Sequence, residues 1–191
     1  MSGSQSSVID PLKGLRAMAA GDRVGGSARQ TFCGEIDIRI GRDGTWFYHG
    51  SPIGRKPLVK LFASVLRRED DDYWLVTPAE RGRIKVDDVP FTAVEVNAAG
   101  AGRSQVLTFR TNLDDEVIAD AQHPIRVAYA PDSDEPRPYI LVRDRLEARI
   151  LRPVFYELVE LAQMHRIGDE EVYGLWSREQ FFPLGRCDPA A

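Results

Sequence analysis

Cysteine is almost absent from this chain: 191 residues hold only Cys33 and Cys187. Two thiols so far apart cannot build a disulfide scaffold, and a reducing cytoplasm is the expected compartment. Histidine is nearly as scarce. His49, His123 and His165 stand apart from each other and from any cysteine pair, so no metal spacing exists and no metal is expected. No run of 18 apolar residues occurs, which removes a transmembrane helix. The first seven residues lack both the charged and the apolar regions of a signal peptide. Positive charge is not in excess either. A net charge of −4 and a pI near 5.5 exclude a broad basic footprint, so no nucleic-acid partner is expected. Phosphate loops and nucleophile elbows are missing, and GAGRS at 100–104 reads as a hairpin tip. No cofactor is implied.

What remains is an ordinary globular composition, 43% hydrophobic and 28% charged. Surface scaling for this length buries roughly 70% of the unfolded area, enough for one large domain or two small ones. Of the 25 basic residues only Lys13, Lys56, Lys60 and Lys85 are lysine. Codon bias of a GC-rich genome is the bland reading of the arginine excess. Guanidinium forks onto phosphate or carboxylate are the functional reading, and position has to decide between them.

Residues 1–10 are Ser-rich, and Leu12, Leu15, Met18 and Ala19 suggest a short helix over 11–20. Ile36, Ile38 and Ile40 alternate with Asp37 and Arg39, which predicts a half-buried strand. Arg42-Asp43-Gly44 turns it back through residues 45–49. Pro57 opens a helix whose stripe is Leu58, Leu61, Phe62, Val65 and Leu66, with Arg67 and Arg68 expected at its C-terminal dipole. Asp70-Asp71-Asp72 reads as a solvated turn. Strands follow at 73–76, 84–86, 91–96, 105–110, 116–119, 125–129, 139–143 and 145–151, with a Pro/Asp loop over 131–138. Pro153 opens a second helix carrying Val154, Phe155, Leu158, Leu161 and Ala162, and His165 is read as its C-terminal cap. Six strands followed by one helix resemble a pleckstrin-homology barrel, one strand short.

Two segments look like copies. Lys56-Pro57 with its stripe leads to Tyr73-Trp74-Leu75-Val76-Thr77, and Arg152-Pro153 leads to Tyr173-Gly174-Leu175-Trp176-Ser177. Coincidence between two common strand–helix–strand units is the bland explanation; an internal duplication is the other.

The densest polar constellation spans 137–152. In a strand over 145–151, Leu146, Ala148 and Ile150 face the core while Arg145, Glu147 and Arg149 share the other face. Arg143 and Arg152 adjoin it. The cluster reads either as solvated cross-strand ion pairs or as an anion site in which Glu147 holds the guanidinium groups. Thr77, Glu80 and Asn112 sit in short polar turns able to line the same cleft, and Trp176 is available to stack on a base. A second chemistry, an enzyme using Cys33 or His49, needs the fold to bring thiol and imidazole together.

The phrases GTWFYHGSPI at 44–53, LVKLFASVLRRE at 58–69 and LVTPAE at 75–80 occur together. VDDVPF at 86–91, Thr111-Asn112, PYILVR at 138–143, LEAR at 146–149, Tyr156-Glu157-Leu158 and Leu175-Trp176-Ser177 join them. This set resembles the bacterial domain of unknown function 1285 family, from about Cys33 to Gly185. The resemblance implies an α+β fold of two related lobes of antiparallel strands, each with a helix, the second pleckstrin-homology-like. It implies a nucleotide-type ligand at the lobe interface and an outline similar to signalling proteins, with no established activity.

The expectation is therefore a cytoplasmic, non-catalytic protein with a flexible segment 1–30, a lobe over 31–88 and a second lobe over 89–191. Its partner is a nucleotide-like or other phosphorylated small molecule. The site residues are Arg149, Arg143, Glu147, Arg152, Thr77, Glu80, Asn112 and Trp176. A protein-interaction adaptor acting in signalling through the second lobe is the further alternative.

Overall fold

The structure is a computed structural model that describes residues 31–130 and 133–186. The expected helix over 11–20 and all of segment 1–30 lie outside the described residues, as do Cys187 and the side chain of Cys33. The described residues up to Gly41, with Thr45–Asp87, form one compact unit, and Arg42–Gly44 with the chain from Asp88 form another.

The first unit is a meander, a helix and a second meander. Strands β1 (Thr31–Ile40), β2 (Trp46–Tyr48) and β3 (Ser51–Pro52) precede helix α1 (Lys56–Ser64). Strands β4 (Leu66–Glu69), β5 (Asp72–Val76) and β6 (Glu80–Val86) follow it. All six make one sheet in the order β3-β2-β1-β6-β5-β4, with β1 and β6 parallel. The period-two pattern acts as expected: Ile36, Ile38 and Ile40 are buried while Glu35 and Asp37 are exposed. Trp46 stacks on Phe62 of the helix, ring centroids 6.1 Å apart.

Helix α1 differs from its expected face and length. Val59, Phe62 and Ala63 are its buried residues, whereas Leu58 and Leu61 are half-buried. It stops at Ser64, so Arg67 and Arg68 lie in β4 and not in its last turn, yet Arg67 meets the expectation from there by donating its guanidinium to the Ser64 carbonyl at 3.3 Å. Sheet pairing takes those residues: Leu66 faces Leu75, and the Val76 amide donates to the Val65 carbonyl. Asp70 sits in the β4–β5 turn at φ 53°.

The second unit opens with β7 (Phe91–Ala99), a 3₁₀ turn (Gly102–Ser104), β8 (Val106–Thr111) and β9 (Glu116–Ile118). Strands β10 (Ile125–Ala130), β11 (Ser133–Arg143) and β12 (Leu146–Ile150) come next. Helix α2 (Arg152–Leu161) leads into β13 (Gln163–Ile167), β14 (Glu170–Ser177) and β15 (Gln180–Arg186). The first six strands pair in the order β10-β11-β12-β7-β8-β9, and the last three form a separate sheet, β13-β14-β15. The pleckstrin-like succession of strands and helix is present, yet both sheets are open; no ladder joins their edges into a barrel among the described residues. The core includes Phe91, Phe109, Ile140, Leu146, Ile150, Leu158 and Leu175.

Three local expectations fail here. The segment read as a Pro/Asp loop is strand from Ser133 onward, and Pro136 and Pro138 pair with Tyr129 and Val127. Strand β12 reaches only as far as Tyr139, so the proline stretch has a single neighbour, where a missing N–H is tolerated. Arg145 is in the β11–β12 turn with Asp144, at φ 64° and 43°, and not in the strand. His165 lies in β13 and does not cap α2, because the chain turns extended at Ala162 (ψ 141°).

The duplication is visible in the connectivity. The series β1-β2-β3-α1-β4-β5-β6 matches β10-β11-β12-α2-β13-β14-β15, two meanders around one helix. In the first copy the outer members β1 and β6 share a parallel ladder; in the second, β10 and β15 run close without one. Thr77 and Ser177 occupy equivalent places, each buried and each opening the turn to the next strand.

Candidate functional site

Strand register builds the site. Arg126 of β10 faces Tyr139 of β11, Tyr139 faces Arg149 of β12, and Arg149 faces Thr92 of β7. Directly opposed side chains on one sheet face interact most strongly, so these residues form a row. The Arg126 guanidinium lies 4.2 Å from the Tyr139 ring centroid and forks onto Glu147 at 2.5 and 2.7 Å. The bond to Glu147 holds the Arg126 pKa above its usual value against the opposing effect of burial. Tyr139 donates its hydroxyl to Asp88 at 3.0 Å, and Arg149 donates Nη1 to the same carboxylate at 3.1 Å. Burial, and next the Asp88 charge, push the Tyr139 pKa up, so the phenol keeps its proton and remains a donor.

Arg149 is thus set by Asp88 and Tyr139, while Glu147, the residue expected to hold it, is forked by Arg126. Arg149 makes that one hydrogen bond among the described residues, which leaves further guanidinium N–H groups for a ligand.

Beyond Arg149 the chain leaves β12 and enters α2, and a cavity of about 450 Å³ opens there. Glu135, Pro136, Pro138, Arg149, Ile150, Leu151, Arg152, Phe155 and Tyr156 line it. Arg152 pairs with Glu135, which raises the Arg152 pKa. No side chain caps α2, and its first turn holds no acidic residue. The Phe155 amide already donates to Leu151, Pro153 has no N–H, and Val154 is buried outside the lining, so Arg152 is the first-turn residue that meets the cavity with an N–H still to offer.

The expected site residues are only partly brought together. Arg149 and Arg152 line one cavity. Arg143 points elsewhere, donating to Asp115 at 3.2 Å with its guanidinium 5.1 Å from the Phe91 ring. Asn112 ties the β8 end to β7: its Oδ1 accepts the Thr92 amide and its backbone N–H donates to the Thr92 carbonyl, while its side-chain amide donates to the Gly44 carbonyl. Trp176 packs with His165, Phe181 and Arg103 on the three-stranded sheet. Thr77 and Glu80 belong to the first unit, where the Thr77 hydroxyl bonds both the amide and the carbonyl of Glu80 and closes the β5–β6 turn. His49 places Nδ1 2.9 Å from Asp37, both side chains being largely exposed.

Sequence reasoning missed Asp88, Tyr139, Arg126, Glu135 and the Phe155–Tyr156 wall. Register could have found Arg126 and Tyr139 once the β10–β11 pairing was known. Nothing in local spacing announces Asp88 or Glu135, which reach Arg149 and Arg152 from 61 and 17 residues away.

No curated protein matches this chain. A crystal structure described as a DUF1285 family protein from Silicibacter pomeroyi DSS-3 is similar at 48% identity and a TM-score of 0.78, over 90% of this chain and 94% of that one. Another DUF1285 family protein, from Shewanella baltica OS155, is 26% identical with a TM-score of 0.52, over 65% and 91% of the two chains. The N-terminal DUF1285 domain model matches residues 29–89 and the C-terminal DUF1285 domain model matches 90–184, both of unknown function. With nearly all the described residues spanned by these two matches, the chain belongs to the DUF1285 family.

Proposed function

We propose that this chain is a ligand-binding protein whose ligand joins a phosphate group to a flat ring, as a nucleotide does, and that it serves in sensing or signalling. The observation that carries this reading is the cavity at the β12–α2 junction, with arginines from both elements in its wall. Its volume suits a small molecule. Guanidinium forks, together with the positive end of α2, match phosphate oxygens. Phe155, Tyr156 and the two prolines supply the apolar wall against which a ring packs.

Calorimetry with adenosine monophosphate tests the reading. Arg149→Ala is expected to weaken binding by about 2 kcal/mol, the size of a hydrogen bond to a charged group. Arg149→Lys should restore only part, since a point charge cannot replace a fork. Unchanged affinity in both folded variants removes the site. Native mass spectrometry of freshly purified protein gives an independent test through the mass of any retained metabolite.

A further inference from the structure

We propose that Glu135 is a tethered stand-in for the ligand's anionic group, so that an anion takes the Arg152 seat only by displacing it. This deepens the reading above and rests on it. Glu135 and Arg152 both line the cavity and are paired there across the gap between β11 and α2. The first turn of α2 contains no acid of its own. A carboxylate therefore occupies the arginine seat at this helix end, and it is delivered by a neighbouring strand.

The seat is occupied loosely. The Glu135 side chain is 49% exposed and that of Arg152 is 65% exposed, so the pair is held in water and separates at little cost. Its strength as a competitor comes from attachment. A group tethered nearby acts at an effective concentration on the order of millimolar, which a free ligand must exceed or outbid. A free monoanion offers Arg152 the same single charge that Glu135 already supplies, and gains little by replacing it. A phosphate monoester brings nearly two charges and three acceptor oxygens. It can take Arg152 and the unused N–H groups of Arg149 together. One carboxylate cannot match that set. Asp88 does not block the exchange, because it is shared between Tyr139 and a single Arg149 N–H.

The test compares adenosine monophosphate with its 3′,5′-cyclic form, which keeps base and sugar but has one charge, on the wild type and Glu135→Gln. The wild type is expected to bind the monoester about tenfold more tightly, the weight of one charge-assisted hydrogen bond. Glu135→Gln should tighten both ligands by a similar factor, because each displaces the same carboxylate. No tightening of either nucleotide on Glu135→Gln overturns the stand-in role and leaves the binding reading intact. If neither folded protein binds either nucleotide or inorganic phosphate, the proposed function itself falls and the inference falls with it. Binding by Glu135→Gln alone supports the stand-in directly.

Discussion

Ser177 concentrates several constraints in one hydroxyl. It is fully buried, accepts the Leu107 amide at 3.0 Å and donates to the Ala119 carbonyl at 2.6 Å. Ser177→Ala leaves both backbone groups unpaired in the interior, and the expected loss is about 1–3 kcal/mol in denaturant unfolding. A loss no larger than that of an exposed serine would mean that water reaches the site. Asp120 is a second single-residue test, this time of pH. Burial alone would raise its pKa, but the amides of His123 and Gln122 and the His123 ring outweigh burial and hold it below 3.8. A depressed carboxylate contributes stability above its unfolded pKa and loses it as pH falls through the native value. The wild type should therefore melt above Asp120→Asn at neutral pH, with the gap closing below about pH 4. A gap that persists in acid would show that the carboxylate charge is not the cause. At this scale the sequence was informative about Arg149 and Arg152 but silent about their partners. Asp88 and Glu135 are ordinary acids until the strands bring them to a guanidinium group.

Among the elements, the tight hairpin turns depart most from local preference. Arg178 and Glu179 join β14 to β15 at φ 47° and 65°, a left-handed pair with no glycine. Their amides are fixed by the Gln105 and Arg103 carbonyls, so neighbouring backbone imposes the conformation. Asn-Gly prefers that geometry, and Arg178→Asn with Glu179→Gly is expected to stabilise the protein by about 1 kcal/mol. An unchanged or lower urea midpoint would place the cost elsewhere. Gly174 obeys the opposite logic: a Cβ there would come within 2.4 Å of the Phe182 carbonyl, so the strand facing the β15 bulge requires glycine at this point. Helix ends were the least legible feature of the sequence. Arg67 and Arg68 after α1, and His165 after α2, have the right chemistry to cap a helix. Strand pairing claims all three for β4 and β13, and Arg67 still reaches its helix end from there, at the Ser64 carbonyl; such pairing depends on residues that local periodicity cannot see.

For the molecule as a whole, a ligand that binds only the folded state raises its stability in proportion to ligand concentration. At a hundred times its dissociation constant, adenosine monophosphate should add about 2.7 kcal/mol, read as a concentration-dependent rise in melting temperature. Arg149→Ala should need far more nucleotide for the same rise; identical titrations would move the binding elsewhere. No helix among the described residues is long and apolar enough to cross a membrane. The sequence by itself determined the alternating strands, the two proline-opened helices and the repeated Tyr-x-Leu-x-Ser/Thr strands, because each is written in residues adjacent along the chain. It also carried the family, through phrases spread from the first strand to the last. Tertiary structure alone decided that β1 and β6 join in parallel while their counterparts β10 and β15 do not. It alone placed Arg149 and Arg152 in one cavity and Arg143 outside it. Both outcomes depend on register and long-range pairing, where a shift of one residue turns a side chain to the opposite face.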